Sequence, residues 1–173
     1  MKKKEKSTMM TDAEVRRELK KIGILFAVLI VLGSIFTWQT SVFKMANEAM
    51  NPTIAKGDHI LVNRFAKEFK SGDIIAYAQY DDENPEAMPI IHVKRLIGLP
   101  GDDIGVKDGY LYRNEEKIVQ VVSDTEWTNT ELTQYPVPDD SYFVTGDNMD
   151  YKPEIGESLF IYQDDVIGKV LFQ

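Results

Sequence analysis

Seventeen consecutive uncharged and mostly apolar residues, IGILFAVLIVLGSIFTW, run from Ile22 to Trp38, and no charge follows until Lys44. About 20 such residues are needed for a helix to cross a hydrocarbon core of about 30 Å. The segment 22–41 meets that length, with Trp38 placed as an interfacial aromatic. Arg16, Arg17, Lys20 and Lys21 precede the run, whereas Lys44 alone flanks its far side. The positive-inside bias therefore predicts a basic cytoplasmic N-terminus over 1–21 and a body over 42–173 on the outer face. A cleaved signal peptide would have a shorter apolar core, about 7–15 residues, and a small-x-small site. Here Ala46 and Ala49 stand three apart. A buried core helix is the blander alternative, and it fits poorly with apolar residues on every side behind four basic ones. The run reads as an uncleaved single-pass anchor in the cell membrane.

Charge divides at that run. Residues 1–21 carry eight Lys/Arg against four acids, and residues 44–173 carry twelve against twenty-four. A nucleic-acid binder needs its positive charge on the folded body, so nucleic acid is excluded as a partner. The chain has no Cys and only two His, His59 and His92. That removes disulfides, a thiol nucleophile and Cys-based zinc sites, and leaves no basis for a metal or other cofactor. Both histidines read as structural or exposed.

Beyond Lys44 the pattern becomes one of short β-branched and aromatic runs: 59–66, 73–80, 90–99, 110–114, 117–123, 141–146 and 166–173. Gly, Pro, Asp and Asn clusters separate them, which predicts a mainly β, antiparallel domain. Segments 81–89 and 124–140 read as irregular. Asp108-Gly109 predicts a tight hairpin, because such turns require positive φ. That hairpin belongs to a small β lobe inserted between the strand carrying Lys94 and the strand carrying Phe143.

Three blocks remain: AMNPTIAKGD (49–58), HVKRLIGLPGD (92–102) and GDNMD (146–150). Each is weak alone; in this order behind an anchor they are specific. The sequence resembles the type I signal peptidases, membrane-anchored serine proteases with a Ser/Lys dyad. Their Ser-Met-x-Pro-Thr block is matched by Ala49, Met50, Asn51, Pro52 and Thr53. Their Lys-Arg-x-x-Gly-Leu-Pro-Gly-Asp block is matched from Lys94 to Asp102, and their Gly-Asp-Asn by Gly146, Asp147 and Asn148. Gly57-Asp58, SGDIIAY from Ser71 and IGKVL at 167–171 agree as well. The resemblance implies a signal-peptidase-like β fold, no cofactor, and exported proteins as clients at the membrane. It places Lys94 as general base, with Met50, Pro52, Thr53, Asp147, Asn148 and Glu154 supporting the site. A lysine can act so only where burial lowers its pKa, and Lys94 sits among Ile91, Val93, Leu96 and Ile97.

The position of the nucleophile is Ala49, and a methyl group cannot attack a carbonyl. Thr53 stands four residues away in a turn, too displaced to inherit a geometry that tolerates about 3–3.5 Å between reacting atoms. The third block departs too. Met149 stands where the family carries Arg, and Lys152-Pro153-Glu154-Ile155-Gly156 replaces a Ser-x-Asp-Ser-Arg run, with only Glu154 keeping its character. A single disabling substitution would not touch all of these. The resemblance thus implies an inactive relative that holds exported or surface proteins, whether signal-peptide or pilin-like clients. Serine-less members of the family occur beside sortase-assembled pili in Gram-positive bacteria and are needed for pilus assembly. Two alternatives stay open: an active signal peptidase represented as a Ser→Ala variant at 49, and a regulatory subunit of a true peptidase.

Overall fold

The structure, a computed structural model, describes residues 11–81, 84, 86–120, 132–151 and 159–172. One helix, α1 (Asp12–Gln39), precedes a β body that begins at Thr40. Helix α1 opens on a reciprocal cap: Thr11 N–H donates to Glu14 Oε2 at 2.8 Å and Glu14 N–H donates to Thr11 Oγ1 at 3.4 Å. This satisfies donors that the first turn would leave unpaired. Within the apolar stretch, Ser34 Oγ donates to the Ile30 carbonyl and Thr37 Oγ1 to the Ser34 carbonyl. The hydroxyls are thereby satisfied inside the helix, as hydrocarbon surroundings demand. With a stretch of mean hydropathy 2.2, α1 is long and apolar enough to cross a membrane. No proline interrupts residues 12–39, so the basic segment 12–21 and the apolar run form one unbroken helix. Its end is earlier than the apolar run suggests. Thr40 and Ser41 instead open a strand, opposite Asn63 and Val62.

The strands are β1 (Thr40–Lys44), β2 (His59–Asn63), β3 (Ile74–Gln79), β4 (Ile90–Gly98), β5 (Asp103–Lys107) and β6 (Tyr110–Arg113). They continue with β7 (Glu116–Gln120), β8 (Leu132–Pro136), β9 (Ser141–Thr145), β10 (Phe160–Tyr162) and β11 (Val166–Phe172). Seven form one sheet in the order β1-β2-β11-β3-β4-β9-β10, and four form a second in the order β7-β6-β5-β8. Every described pairing is antiparallel. The small sheet is the inserted lobe, lying in sequence between β4 and β9. Its β5–β6 turn is the Asp-Gly hairpin, with φ of 51° at Asp108 and 74° at Gly109. Strand β8 falls in the stretch read as irregular from its Thr and Pro content. Pairing with β5 overrides that local composition.

Strand β3 is buried along Ile75–Ala78, so both faces of the large sheet are covered. Its alternate side chains enter different clusters. Ala76 joins Val93, Ile60 and Val62 under the loop carrying Ala49 and Met50. Ile75 and Tyr77 join Leu96, Tyr142 and Val144. A third cluster, with Ile97, Phe143, Ile104, Val106 and Leu111, locks the small sheet onto the large one.

Gly168 shows how closely the central strands approach. A Cβ built there would lie 2.1 Å from the Asn63 carbonyl oxygen and 3.0 Å from Arg64 Cα, both backbone atoms. Gly168→Ala should therefore lower unfolding stability by about 1–3 kcal/mol, the usual range for forced overpacking. Denaturant unfolding of the detergent-solubilised chain measures this. A loss within about 0.5 kcal/mol, the size of a neutral surface change, would show that the strands can part there.

Candidate functional site

The first block is a closed loop. Met45 N–H donates to the Asp58 carbonyl at 2.8 Å and Gly57 N–H donates back to the Met45 carbonyl at 2.9 Å, so residues 45–58 leave and rejoin at one place. The rejoining turn is Ala55-Lys56-Gly57-Asp58, where Gly57 takes φ of 97° and Asp58 Oδ2 accepts from Ala55 N–H at 2.9 Å. The same device recurs at Lys70–Asp73 and Leu99–Asp102. In each, a Gly with positive φ precedes an Asp whose carboxylate accepts the N–H three residues back. Within the loop, Ala49, Met50 and Ile54 are fully buried and anchor it to the sheet. Asn47 serves its own turn, as an Asx residue does: its Oδ1 accepts from Ala49 N–H at 3.2 Å. Pro52 is exposed and follows a cis peptide bond, and Thr53 is half-buried.

Gly146-Asp147 is a fourth Gly-Asp pair, and it is built differently. A Cβ on Gly146 would fall 2.4 Å from the Ala49 carbonyl oxygen, so only glycine admits this approach. The following residues hold the loop from outside. Asn148 N–H donates to the Ala49 carbonyl at 2.9 Å, and Asn148 Nδ2 to the Glu48 carbonyl at 3.0 Å. Asp147 reaches β4, where Arg95 Nε donates to its Oδ1 at 2.6 Å and Arg95 Nη2 donates to its Oδ2. Arg95 Nη1 also binds the Gly72 carbonyl at 2.7 Å. The paired carboxylate raises the Arg95 pKa still further above its ordinary value, against partial burial. This bidentate geometry fixes orientation as well as charge.

Lys94, opposite Ile75 in the β3–β4 register, is only 4% exposed. Its Nζ lies 5.7 Å from the centre of the Tyr151 ring, within reach of a cation–π interaction. Tyr151 is half-buried against the cluster that contains Ala49 and Met50. The three blocks therefore converge. The first and third meet through Asn148, and the second and third through Arg95–Asp147 and Lys94–Tyr151. Glu154, with Lys152, Pro153, Ile155 and Gly156, lies outside the described residues. His59 is exposed at the start of β2, and His92 is buried and stacked on Tyr77, with ring centres 5.3 Å apart.

Two contributors are not legible as site residues in the sequence. Arg95 looks like a solvated neighbour of Lys94, although its place beside Lys94 in the block marks it in hindsight. Tyr151 carries no motif signal. Among the described residues no group of His, Cys, Asp and Glu is arranged to hold a metal ion. Asp147→Asn should lower stability by about 1–3 kcal/mol, because Arg95 keeps a donor facing a donor. Denaturant midpoints of the two proteins measure it, and equal midpoints would mean that the pair does not hold the third block.

Comparison with known proteins gives a consistent picture. The model of the family described as "Signal peptidase, peptidase S26" matches residues 16–172. "Signal peptidase I P" of Bacillus subtilis subsp. natto is 33% identical over 175 residues, covering 92% of this chain and 91% of that protein. "Signal peptidase I U" of Bacillus subtilis (strain 168) is 32% identical, covering 88% of this chain and 86% of that protein. A crystal structure of a signal peptidase I from Enterococcus faecalis V583 is 28% identical and covers 61% of this chain and 97% of its own, with a TM-score of 0.40.

Proposed function

The chain belongs to the signal peptidase family S26, and from that premise we propose that it is a non-proteolytic member that holds exported proteins at the membrane rather than cutting them. The observation that carries this reading is Ala49, fully buried in the loop matching the family's nucleophile block. Removing the nucleophile of a serine site costs about 10⁶ in kcat, leaving only binding and oxyanion contributions. Ala49 N–H, the kind of donor a serine site turns towards a developing oxyanion, is engaged by Asn47 Oδ1. Thr53, on the same loop four residues on, is no substitute at the few-ångström tolerance of an attack.

In this reading α1 anchors the chain with residues 1–21 in the cytoplasm and the β body outside. The clients are exported or surface proteins with signal-peptide or pilin-like segments, and assembly of sortase-assembled pili is the favoured setting. Binding an extended client needs only main-chain donors and acceptors and side-chain pockets, not a nucleophile. Lys94 keeps the position of the base, and Met50, Pro52, Thr53, Asp147, Asn148 and Glu154 brace the site.

The test is a cleavage assay of the full chain in detergent on a signal-peptide substrate, beside its Ala49→Ser variant. The unmodified protein should give no cleavage above the substrate alone, and Ala49→Ser should recover at most a small fraction of an active family member's rate. Cleavage by the unmodified protein overturns the reading. Vigorous cleavage by Ala49→Ser would instead favour an otherwise intact peptidase represented as a Ser→Ala variant. For the cellular role, deleting the gene should impair surface polymers and leave bulk secretion intact; normal polymers would refute it.

A further inference from the structure

Helix α1 carries its basic residues at one depth and on one side. Arg16, Arg17, Lys20 and Lys21 all lie within two turns before Ile22, where the charge-free run begins. At a rise of about 1.5 Å per residue, they stand about 1.5–9 Å beyond the apolar end. The polar layer on each side of the hydrocarbon core is about 5–8 Å deep, so the four cations fall at the level of the lipid headgroups. Arg16 and Lys20 are one helical turn apart, as are Arg17 and Lys21, which puts all four within an arc of about 140°. All four are exposed. Val15, Leu19 and Ile22 rise along the opposite side. That side can lean into the acyl boundary while the basic arc stays at the phosphates.

The nearby acids are engaged or too far out. Glu14 accepts from Thr11 N–H at 2.8 Å and from Thr11 Oγ1 at 3.0 Å in the helix cap. Glu18 accepts from Lys21 Nζ at 2.6 Å. Asp12 stands about 15 Å from the apolar end. Arg16, Arg17 and Lys20 face no acid within ion-pair distance among the described residues. Like charges one turn apart oppose the helix, so this arc needs a counter-charge that the described residues do not supply.

We propose that Arg16, Arg17 and Lys20 form a docking face for anionic phospholipid, taking headgroup phosphates at the N-terminal end of the apolar run. Adjacent guanidiniums suit phosphate oxygens as planar forks of donors, and the lysine adds a point charge. The occupant is a lipid rather than a free anion because the face stands at headgroup depth. Such a face requires α1 to cross the membrane, whichever leaflet receives its N-terminus, and is independent of whether the β body cuts its clients.

The test reconstitutes the full chain into phosphatidylcholine vesicles with a trace of spin-labelled phosphatidylglycerol or spin-labelled phosphatidylcholine. Electron spin resonance then measures the protein-bound fraction of each lipid. The unmodified chain should favour phosphatidylglycerol about threefold or more, since each cation near the surface adds to the attraction. Arg16→Gln/Arg17→Gln/Lys20→Gln, which keeps good helix formers, should bring the ratio near one. Lys2→Gln/Lys3→Gln/Lys4→Gln/Lys6→Gln removes four cations outside the face and should leave the preference in place. An unchanged ratio in the first variant overturns the face, as does an equal loss in the second. Inorganic phosphate, set against chloride at equal ionic strength, should not lower the ratio; if it does, the site takes a free anion and the lipid assignment fails. Failure of the chain to float with the vesicles would refute the anchor and the face together, whereas a floating chain without preference refutes the face alone.

Discussion

The site depends on one main-chain hydrogen bond, from Asn148 N–H to the Ala49 carbonyl at 2.9 Å. It joins the loop after β1 to the segment after β9, about a hundred residues apart in sequence. It forms only because Gly146 lets the two backbones touch, and the Arg95–Asp147 pair holds the segment in place beside β4. None of these contacts involves the side chain at position 49. A serine there could be lost without disturbing the geometry around it, because backbone groups and neighbouring side chains carry the architecture. Retention of the blocks and absence of the nucleophile are therefore compatible on physical grounds.

Much of this was legible in the sequence. The long apolar helix announced itself by length, the β class by short β-branched runs, and the small lobe by the Asp108-Gly109 turn. What escaped was set by long-range pairing. Strand β8 is carried by its register with β5 and not by its own composition, while β1 takes Thr40 and Ser41 out of the apolar run because β2 offers partners. Gly-Asp pairs illustrate the limit well. Four occur, and local chemistry explains the three that close turns by an Asp carboxylate accepting an N–H three residues back. The fourth has the same two letters and another task, visible only once Arg95 and the Ala49 carbonyl are seen beside it.

Successive residues of β4 show how one segment can serve two chemistries. Arg95 is partly exposed, carries a bidentate partner and fixes the third block by charge and shape. Lys94 is buried, with its Nζ 5.7 Å from the centre of the Tyr151 ring.

The same reasoning applies to Ala49. It belongs to a buried cluster with Met45, Met50, Ile54, Val62 and Val93, an apolar setting in which a methyl group is at ease. A hydroxyl in that place would need a hydrogen-bond partner, and without one would cost about 1–3 kcal/mol. In an enzyme the general base supplies that partner and catalysis justifies the strain of holding it there. Alanine, with no hydroxyl to satisfy, carries no such cost in this apolar setting.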